Sequence, residues 1–153
     1  MIVTRRYMLA GLVAVPAVAF AATRGSDATG RIYNNGGVAI DGSDAVAYFT
    51  EGKPVAGDVT INHDWNGVRW HFSTIANRDT FAANPEAYAP QYGGYCAWAV
   101  SQGSIARSTP EAWAVVDGKL YLNFSKRIQR RWEGDIPNYI ARADRNWPTL
   151  DVG

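Results

Sequence analysis

The sequence predicts an α+β fold in which small antiparallel hairpins pack with short helices and a C-terminal helix completes the domain. Two turn signals, Asn66-Gly67 and Asp117-Gly118, stand between segments rich in β-branched and aromatic residues. Both residues of such a pair tolerate the positive φ angles of a two-residue hairpin turn. After each hairpin, a hydroxyl residue precedes a segment with helical spacing of its apolar residues, as a helix cap does. Hairpins and short helices in this order indicate the α+β class.

The first 21 residues have the pattern of an export signal. Arg5-Arg6 precedes an uncharged apolar run, residues 9–22, and small residues offer cleavage sites ending at Ala19 or Ala21. Such an arrangement is typical of a signal peptide, and the run is shorter than the roughly 20 residues of a membrane span. The paired arginines resemble a twin-arginine signal. We therefore expect export by the twin-arginine machinery, or by the ordinary secretory route, to a periplasmic or secreted location without a stable membrane anchor.

Residues 22–37 are rich in Gly, Ser, Asn and Thr, which predicts a flexible lead-in, and the folded domain is predicted over residues 38–150. The whole chain has 15 basic and 14 acidic residues. Residues 1–21 contain two arginines and no acidic residue, so the remaining chain is also close to neutral. A near-neutral domain is not typical of a nucleic-acid binder, which concentrates basic residues on one surface. The cluster of Arg127, Arg130 and Arg131 lies on a predicted helix and is interpreted as a solvated face.

The first hairpin has one apolar and one polar face. Its turn fixes the register, which predicts the pairs Trp65–Val68, Asp64–Arg69, His63–Trp70, Asn62–His71 and Ile61–Phe72. Because side chains alternate along a strand, His63 belongs to the face that is otherwise apolar, and His71 belongs to the polar face. We expect His71 to be exposed and His63 to point into the core or into a pocket.

Helices are predicted after both hairpins. Ser73 or Thr74 is expected to cap the first, and Ser125 is expected to cap a C-terminal helix that Pro137 restarts. The segment Ala45–Phe49 is apolar throughout, and its pattern is compatible with either a helix or a strand.

With these elements in place, the chain resembles a YHS domain, a small α+β module often associated with metal handling. The resemblance rests on the aromatic hairpin 65–72, the segment Asn77-Arg78-Asp79-x-Phe81 and the ending Pro85-Glu86-x-Tyr88. Two cysteines of such domains commonly bind a soft metal, and the matching positions here hold Ala47 and Ser73. The resemblance implies the fold over residues 41–150 and an exported branch of the family, without those two metal ligands.

His63 and Cys96 are the candidate site residues. Imidazole and thiolate together suit copper or zinc, so the leading hypothesis is that a transition metal ion or small ligand binds in a pocket including both. Tyr48, Tyr92 and Tyr95 are weaker candidates for completing it. The structural alternative is a core histidine and a buried, inert cysteine.

Two other classes of function stay open. One is a non-metal accessory or protein-interaction module that has lost the metal cysteines and exposes some of its six tryptophans at a groove. The other is a cysteine-dependent enzyme in which Cys96 is the nucleophile and His63 its base. Since no motif indicates a particular reaction, the sequence favours a binding protein over an enzyme.

Overall fold

The computed structural model describes residues 31–153, in which two small sheets and six helices confirm the predicted α+β class. The strands are β1 (Asn34–Asn35), β2 (Val38–Ala39), β3 (Asp58–Trp65), β4 (Val68–Phe72), β5 (Thr109–Val116) and β6 (Lys119–Asn123). The helices are α1 (Ala47–Thr50), α2 (Ile75–Ala83), α3 (Pro85–Tyr88), α4 (Ala97–Ser101), α5 (Lys126–Glu133) and α6 (Ile136–Asn146). Single 3-10 turns lie at Ile40–Gly42, Gln91–Gly94 and Trp147–Thr149. The predicted export signal lies outside the described residues.

The β3–β4 hairpin has the predicted turn and most of the predicted register. Asn66 and Gly67 have φ angles of 51° and 76°, and four of the five predicted pairs are present, from Trp65–Val68 to Asn62–His71. The fifth is wrong, because Phe72 pairs with Asp58 across an irregularity in β3. The Asp58 carboxylate accepts hydrogen bonds from the backbone and hydroxyl of Thr60, which stabilises this local turn instead of a continuous ladder.

The folded unit begins before the predicted boundary at residue 38. In the sheet order β1-β2-β4-β3, β1 pairs antiparallel with β2, and Val38 of β2 pairs parallel with Arg69 of β4. Ile32 is only 3% exposed, so burial of its side chain joins this segment to the core. Residues 31–37 therefore belong to the domain, and this part of the lead-in prediction is corrected; residues 22–30 lie outside the described range.

Two apolar clusters form the interior. The first lies between the four-stranded sheet and α2, and three of its aromatic members, Trp70, Phe72 and Phe81, are each at most 1% exposed. The second lies between the β5–β6 hairpin and the C-terminal helices, with Tyr121 and Trp132 at its centre. No helix within residues 31–153 has the length and apolar character needed to cross a bilayer.

Local signals for the helices and the second turn are largely confirmed. Thr74 accepts a hydrogen bond from Asn77 N at the start of α2, and Ser125 accepts one from Ile128 N at the start of α5. The turn between β5 and β6 has φ angles of 50° and 74° at its Asp117-Gly118 pair. The apolar segment whose pattern was ambiguous forms α1, preceded by a carboxylate described below.

The 3-10 turn Gln91–Gly94 is fixed by close backbone packing. Tyr92, Gly93 and Gly94 all have positive φ, and a Cβ added at Gly93 would overlap the carbonyl oxygen of Arg31. Tyr33 N donates a hydrogen bond of 2.9 Å to Gly93 O. Glycine is therefore required here for the approach of two backbones as well as for its conformation.

Candidate ligand-binding cleft

His63 lies on the core side of the β3–β4 hairpin, as predicted. Its imidazole is half-buried, with its centroid 6.3 Å from that of Phe81 in an edge-on arrangement. Phe81 is fully buried in the first apolar cluster. The structure therefore places His63 at the margin of the aromatic core.

Cys96 is a buried thiol at the start of α4. It is 1% exposed, and its Sγ donates a 3.6 Å hydrogen bond to Oδ1 of Asn123, which also accepts from Trp98 N at 3.0 Å. Burial raises the pKa of the Cys96 thiol, because a thiolate loses hydration in an apolar environment. Nucleophilic attack requires the thiolate, so this environment does not suit a catalytic nucleophile, and Sγ already has Asn123 as its hydrogen-bond partner.

The structure shows no metal-binding cluster that includes the predicted ligands His63 and Cys96. Within residues 31–153, no group of three or more His, Cys, Asp and Glu side chains is arranged to hold a metal ion. The weaker candidates already have protein partners: Tyr48 donates to Pro110 O, Tyr92 donates to Asp144 Oδ1, and Tyr95 packs on Tyr33 and Trp147. Burial raises the pKa of all three phenols.

The two positions that the resemblance matches to metal-binding cysteines meet at one carboxylate, that of Asp44. Asp44 is fully buried, and its Oδ1 accepts from the backbone N–H groups of Val46 and Ala47. Its Oδ2 accepts from Ser73 N at 2.8 Å, Ser73 Oγ at 2.7 Å and Asn77 Nδ2 at 2.8 Å. A carboxylate offers about four lone-pair positions, so five donors leave no capacity for a ligand. We call this arrangement the Asp44 hub.

An open cleft on the other side of the hairpin is lined by polar side chains that have unused hydrogen-bonding groups. It has a volume of about 540 Å³ and is lined by Tyr33, Asn35, Val38, Asp41, Gly42, His71 and Arg107. The lining comes from the β1–β2 segment, the first 3-10 turn, β4 and the loop before β5. His71 is half-buried rather than exposed, because residues 33–42 cover the polar face of the hairpin. We call this site the His71 cleft.

The backbone beside the His71 cleft is strained. Ile40 and Asp41 have φ angles of 44° and 54°, and Gly42 follows at 76°. Two consecutive non-glycine residues in this region are costly, and such costs concentrate at functional sites. A Cβ at residue 42 would stand 3.3 Å from His71 Nδ1, so glycine also leaves room for the imidazole.

The charged groups of the cleft are sparsely paired. Tyr33 OH donates a 3.0 Å hydrogen bond to Asp41 Oδ1; burial first, and the Asp41 carboxylate second, raise the pKa of this phenol, while the nearby Arg107 charge opposes them. Within the described residues Arg107 forms no ion pair, and its guanidinium lies 4.7 Å from the ring centroid of Phe124. An arginine, an imidazole and a carboxylate therefore face one opening with hydrogen-bonding capacity to spare.

A second depression of about 470 Å³ lies beside the hairpin turn, where Asp64 and Arg69 are among the lining residues. These two side chains already form the predicted cross-strand pair, with Arg69 Nε 2.8 Å from Asp64 Oδ1. Because its charges neutralise each other and are exposed, this depression offers less to a ligand than the His71 cleft.

Sequence reasoning missed the His71 cleft because its parts are far apart in the chain. Tyr33 lies in a segment whose composition predicts a flexible lead-in, and nothing local indicates that Arg107 approaches the first hairpin. The available signal was His71 itself, a histidine on a polar strand face.

Comparison with known proteins identifies no relative: no family model, no curated protein and no solved structure matches the chain.

Proposed function

We propose that this protein is an exported, non-enzymatic binding protein of YHS type that holds a small polar ligand in the His71 cleft. The convergence of His71, Asp41 and Arg107 on one opening beside a strained backbone turn carries the proposal. The YHS assignment rests on the sequence resemblance alone. Export is supported by the signal pattern in residues 1–21.

The charges of the cleft indicate the chemical class of the ligand. Arg107 is suited to a carboxylate or phosphate, since its guanidinium forms paired hydrogen bonds to planar oxygen groups. Asp41 has an oxygen that Tyr33 does not use, and this oxygen accepts from an amine or a hydroxyl. His71 donates or accepts according to its tautomer. A small organic anion that also carries an amine or hydroxyl group satisfies all three side chains.

Small-ligand binding is favoured over a metal site at His63 and Cys96. The thiol of Cys96 is buried with a raised pKa, and the ring of His63 packs against Phe81. In the His71 cleft, one imidazole and one carboxylate provide two of the three or more protein ligands that metal sites use. We therefore propose the organic ligand and make the metal an outcome of the test.

The test is isothermal titration calorimetry of the protein with a panel of amino acids, hydroxy acids and dicarboxylates, with Cu²⁺ and Zn²⁺ titrated in parallel. We expect binding of an amine- or hydroxyl-bearing anion that is weakened at least tenfold by Arg107→Gln and by His71→Ala. His63→Ala is the matched control, because it removes the same side chain from the opposite face of the hairpin, and it is expected to leave this affinity unchanged.

Two results would contradict the proposal. Stoichiometric Cu²⁺ or Zn²⁺ that is lost in His63→Ala or Cys96→Ala would restore the metal site predicted from the sequence. Equal effects of His63→Ala and His71→Ala on ligand affinity would place the site elsewhere. The export part is tested separately, by determining the N-terminal residue of the protein recovered from the periplasm; an intact residue 1 in the cytoplasm would overturn it.

A further inference from the structure

The outward face of α5 is a continuous cationic surface. Lys126, Arg127, Arg130 and Arg131 are all exposed. With about 100° between successive residues of a helix, these four side chains fall within an arc of about 140°. Trp132 is fully buried and lies roughly opposite the centre of that arc, so the cations face away from the protein. We call these four residues the α5 cationic face.

The four cations of the α5 cationic face are not neutralised by ion pairs, and the exposed Glu133 of the same helix lies at the edge of their arc. None of its four residues forms an ion pair within residues 31–153, where the two ion pairs are Arg69–Asp64 and Arg78–Asp79. The chain as a whole is nearly neutral, with 15 basic and 14 acidic residues. A concentration of unpaired cations on one helix of a near-neutral protein produces a local positive potential that attracts anionic partners.

Aromatic rings and a small hollow adjoin these cations. Phe124, just before α5, is 40% exposed, and the Arg131 guanidinium lies 5.3 Å from the ring centroid of Trp98. Phe124, Ser125, Ile128 and two of the arginines line a hollow of about 260 Å³. Arginine pairs well with phosphate oxygens, and an exposed phenylalanine among cations suits the boundary between lipid headgroups and acyl chains.

We propose that the α5 cationic face docks the protein reversibly on an anionic phospholipid surface. The charge complementarity of four unpaired cations with a sheet of phosphates, together with one exposed aromatic ring at the same end of the helix, selects this partner. The hollow beside Phe124 has a volume of only about 260 Å³, and the rest of the face is the convex side of a helix. Docking is peripheral, with the domain lying on the surface, and the docking face adjoins the His71 cleft where Arg107 contacts the ring of Phe124.

The experiment measures binding of residues 22–153, which include every described residue, to phosphatidylglycerol-containing vesicles and to pure phosphatidylcholine vesicles. Residues 1–21, the proposed export signal, are omitted so that their apolar run cannot contribute to vesicle binding. Each cation near an anionic surface contributes about fivefold in affinity. The triple variant Arg127→Gln, Arg130→Gln, Arg131→Gln should therefore lose about a hundredfold, with binding to phosphatidylcholine absent throughout. Raising the salt from about 0.1 M to about 1 M, which shortens the Debye length from about 10 Å to about 3 Å, should release the protein.

The matched control removes three exposed charges elsewhere, by Lys53→Gln, Lys119→Gln and Arg145→Gln, and should bind nearly as well as the original protein. An equal loss in this control would show attraction by net charge and overturn the proposal. Absence of binding to phosphatidylglycerol vesicles would also overturn it, and binding to polyglutamate without vesicle binding would assign the face to an acidic protein. Phe124→Ala changes no charge and should weaken vesicle binding several-fold, whereas a purely ionic contact would leave it unchanged.

Discussion

Asp41 and Asp44 lie three residues apart and have opposite surroundings. Asp44 is fully buried and receives five hydrogen bonds from α1, the end of β4 and α2. Asp41 is exposed, receives one hydrogen bond from Tyr33 and has a φ angle of 54°. The Asp44 carboxylate joins three segments of the fold. Asp41 has a strained backbone, and its carboxylate can accept further hydrogen bonds.

This difference separates a saturated carboxylate from an unsaturated one within one short segment. The saturated Asp44 hub connects two segments that are far apart in the chain, at Ala47 and at Ser73. The unsaturated Asp41 makes no comparable set of contacts, and the strained backbone at this residue is one of the observations that support the proposed ligand site. Four substitutions test this contrast.

The largest effect is expected from Asp44→Ala. It leaves buried donors without an acceptor, and each such group costs about 1–3 kcal/mol, so the free energy of unfolding should fall by about 3 kcal/mol or more. Asp41→Asn is the control, because asparagine also tolerates the left-handed conformation at this residue, and it should lower the free energy of unfolding by less than about 0.5 kcal/mol. Urea unfolding measures both, and equal effects would contradict the contrast.

The next effect concerns Tyr48, whose hydroxyl lies 3.3 Å from Oγ of Ser43, the residue before Asp44. The same hydroxyl donates a 2.9 Å hydrogen bond to Pro110 O. Burial raises the pKa of Tyr48 to about 12. Since an unfolded tyrosine ionises near pH 10, the stabilisation is complete below pH 10 and is lost as the pH rises from 10 towards 12. We expect an alkaline loss on the order of 2 kcal/mol.

In Tyr48→Phe, stability measured between pH 9 and pH 12 should fall less steeply, although the neutral-pH value drops by about 1 kcal/mol with the lost hydrogen bond. Some slope should remain, because burial and the Asp144 carboxylate also raise the pKa of Tyr92. An unchanged slope in Tyr48→Phe would show that this phenol does not titrate with unfolding.

Ser73→Ala should cost about 1.5 kcal/mol, because it removes a 2.7 Å hydrogen bond to the buried Asp44 carboxylate. The neighbouring hub bond from the backbone N–H of residue 73 is retained. Ser104→Ala is a suitable control, since Ser104 is exposed. If the control lowered the melting temperature as much as Ser73→Ala, the claim that the hub contributes more stability than an exposed serine would be contradicted.

The smallest effect on stability is expected from Asp41→Gly. Glycine relieves the left-handed conformation, so the free energy of unfolding should stay constant or rise by up to about 1 kcal/mol, while ligand affinity at the His71 cleft falls. Asp117→Gly provides the control, because Asp117 has a φ angle of 50° in the turn of the other hairpin. It should change stability similarly without affecting the ligand, and a stability loss in Asp41→Gly would contradict the strain argument.

Local elements were predictable from the sequence because their determinants are local. The two hairpin turns depend on positive φ at adjacent residues, and the caps at Thr74 and Ser125 depend on one hydroxyl and one N–H group. The two-faced register followed from the first turn. It failed only where the side chain of Asp58 formed its own turn in β3.

The sites were not predictable, since each joins distant residues. The Asp44 hub spans 33 residues between Asp44 and Asn77, and the His71 cleft draws on segments from Tyr33 to Arg107. The parallel pairing of β2 with β4 covers His71, and no turn signal in the sequence predicts it. Conversely, His63 and Cys96 were singled out by residue type, and type alone does not report that one ring packs on Phe81 and the thiol is buried.

The clasp formed by Arg31 brings the two ends of the described chain together. Its Nη2 donates to Trp147 O at 2.6 Å and to Leu150 O at 2.9 Å, and its guanidinium stacks 3.8 Å from the centroid of the Trp147 ring. A short glycine-serine linker from residue 153 to residue 31 would therefore span only a small gap. A circular permutant opened at the exposed turn between β5 and β6 should fold with the same cores, and it would display new termini on the far side of a hairpin without disturbing the Asp44 hub.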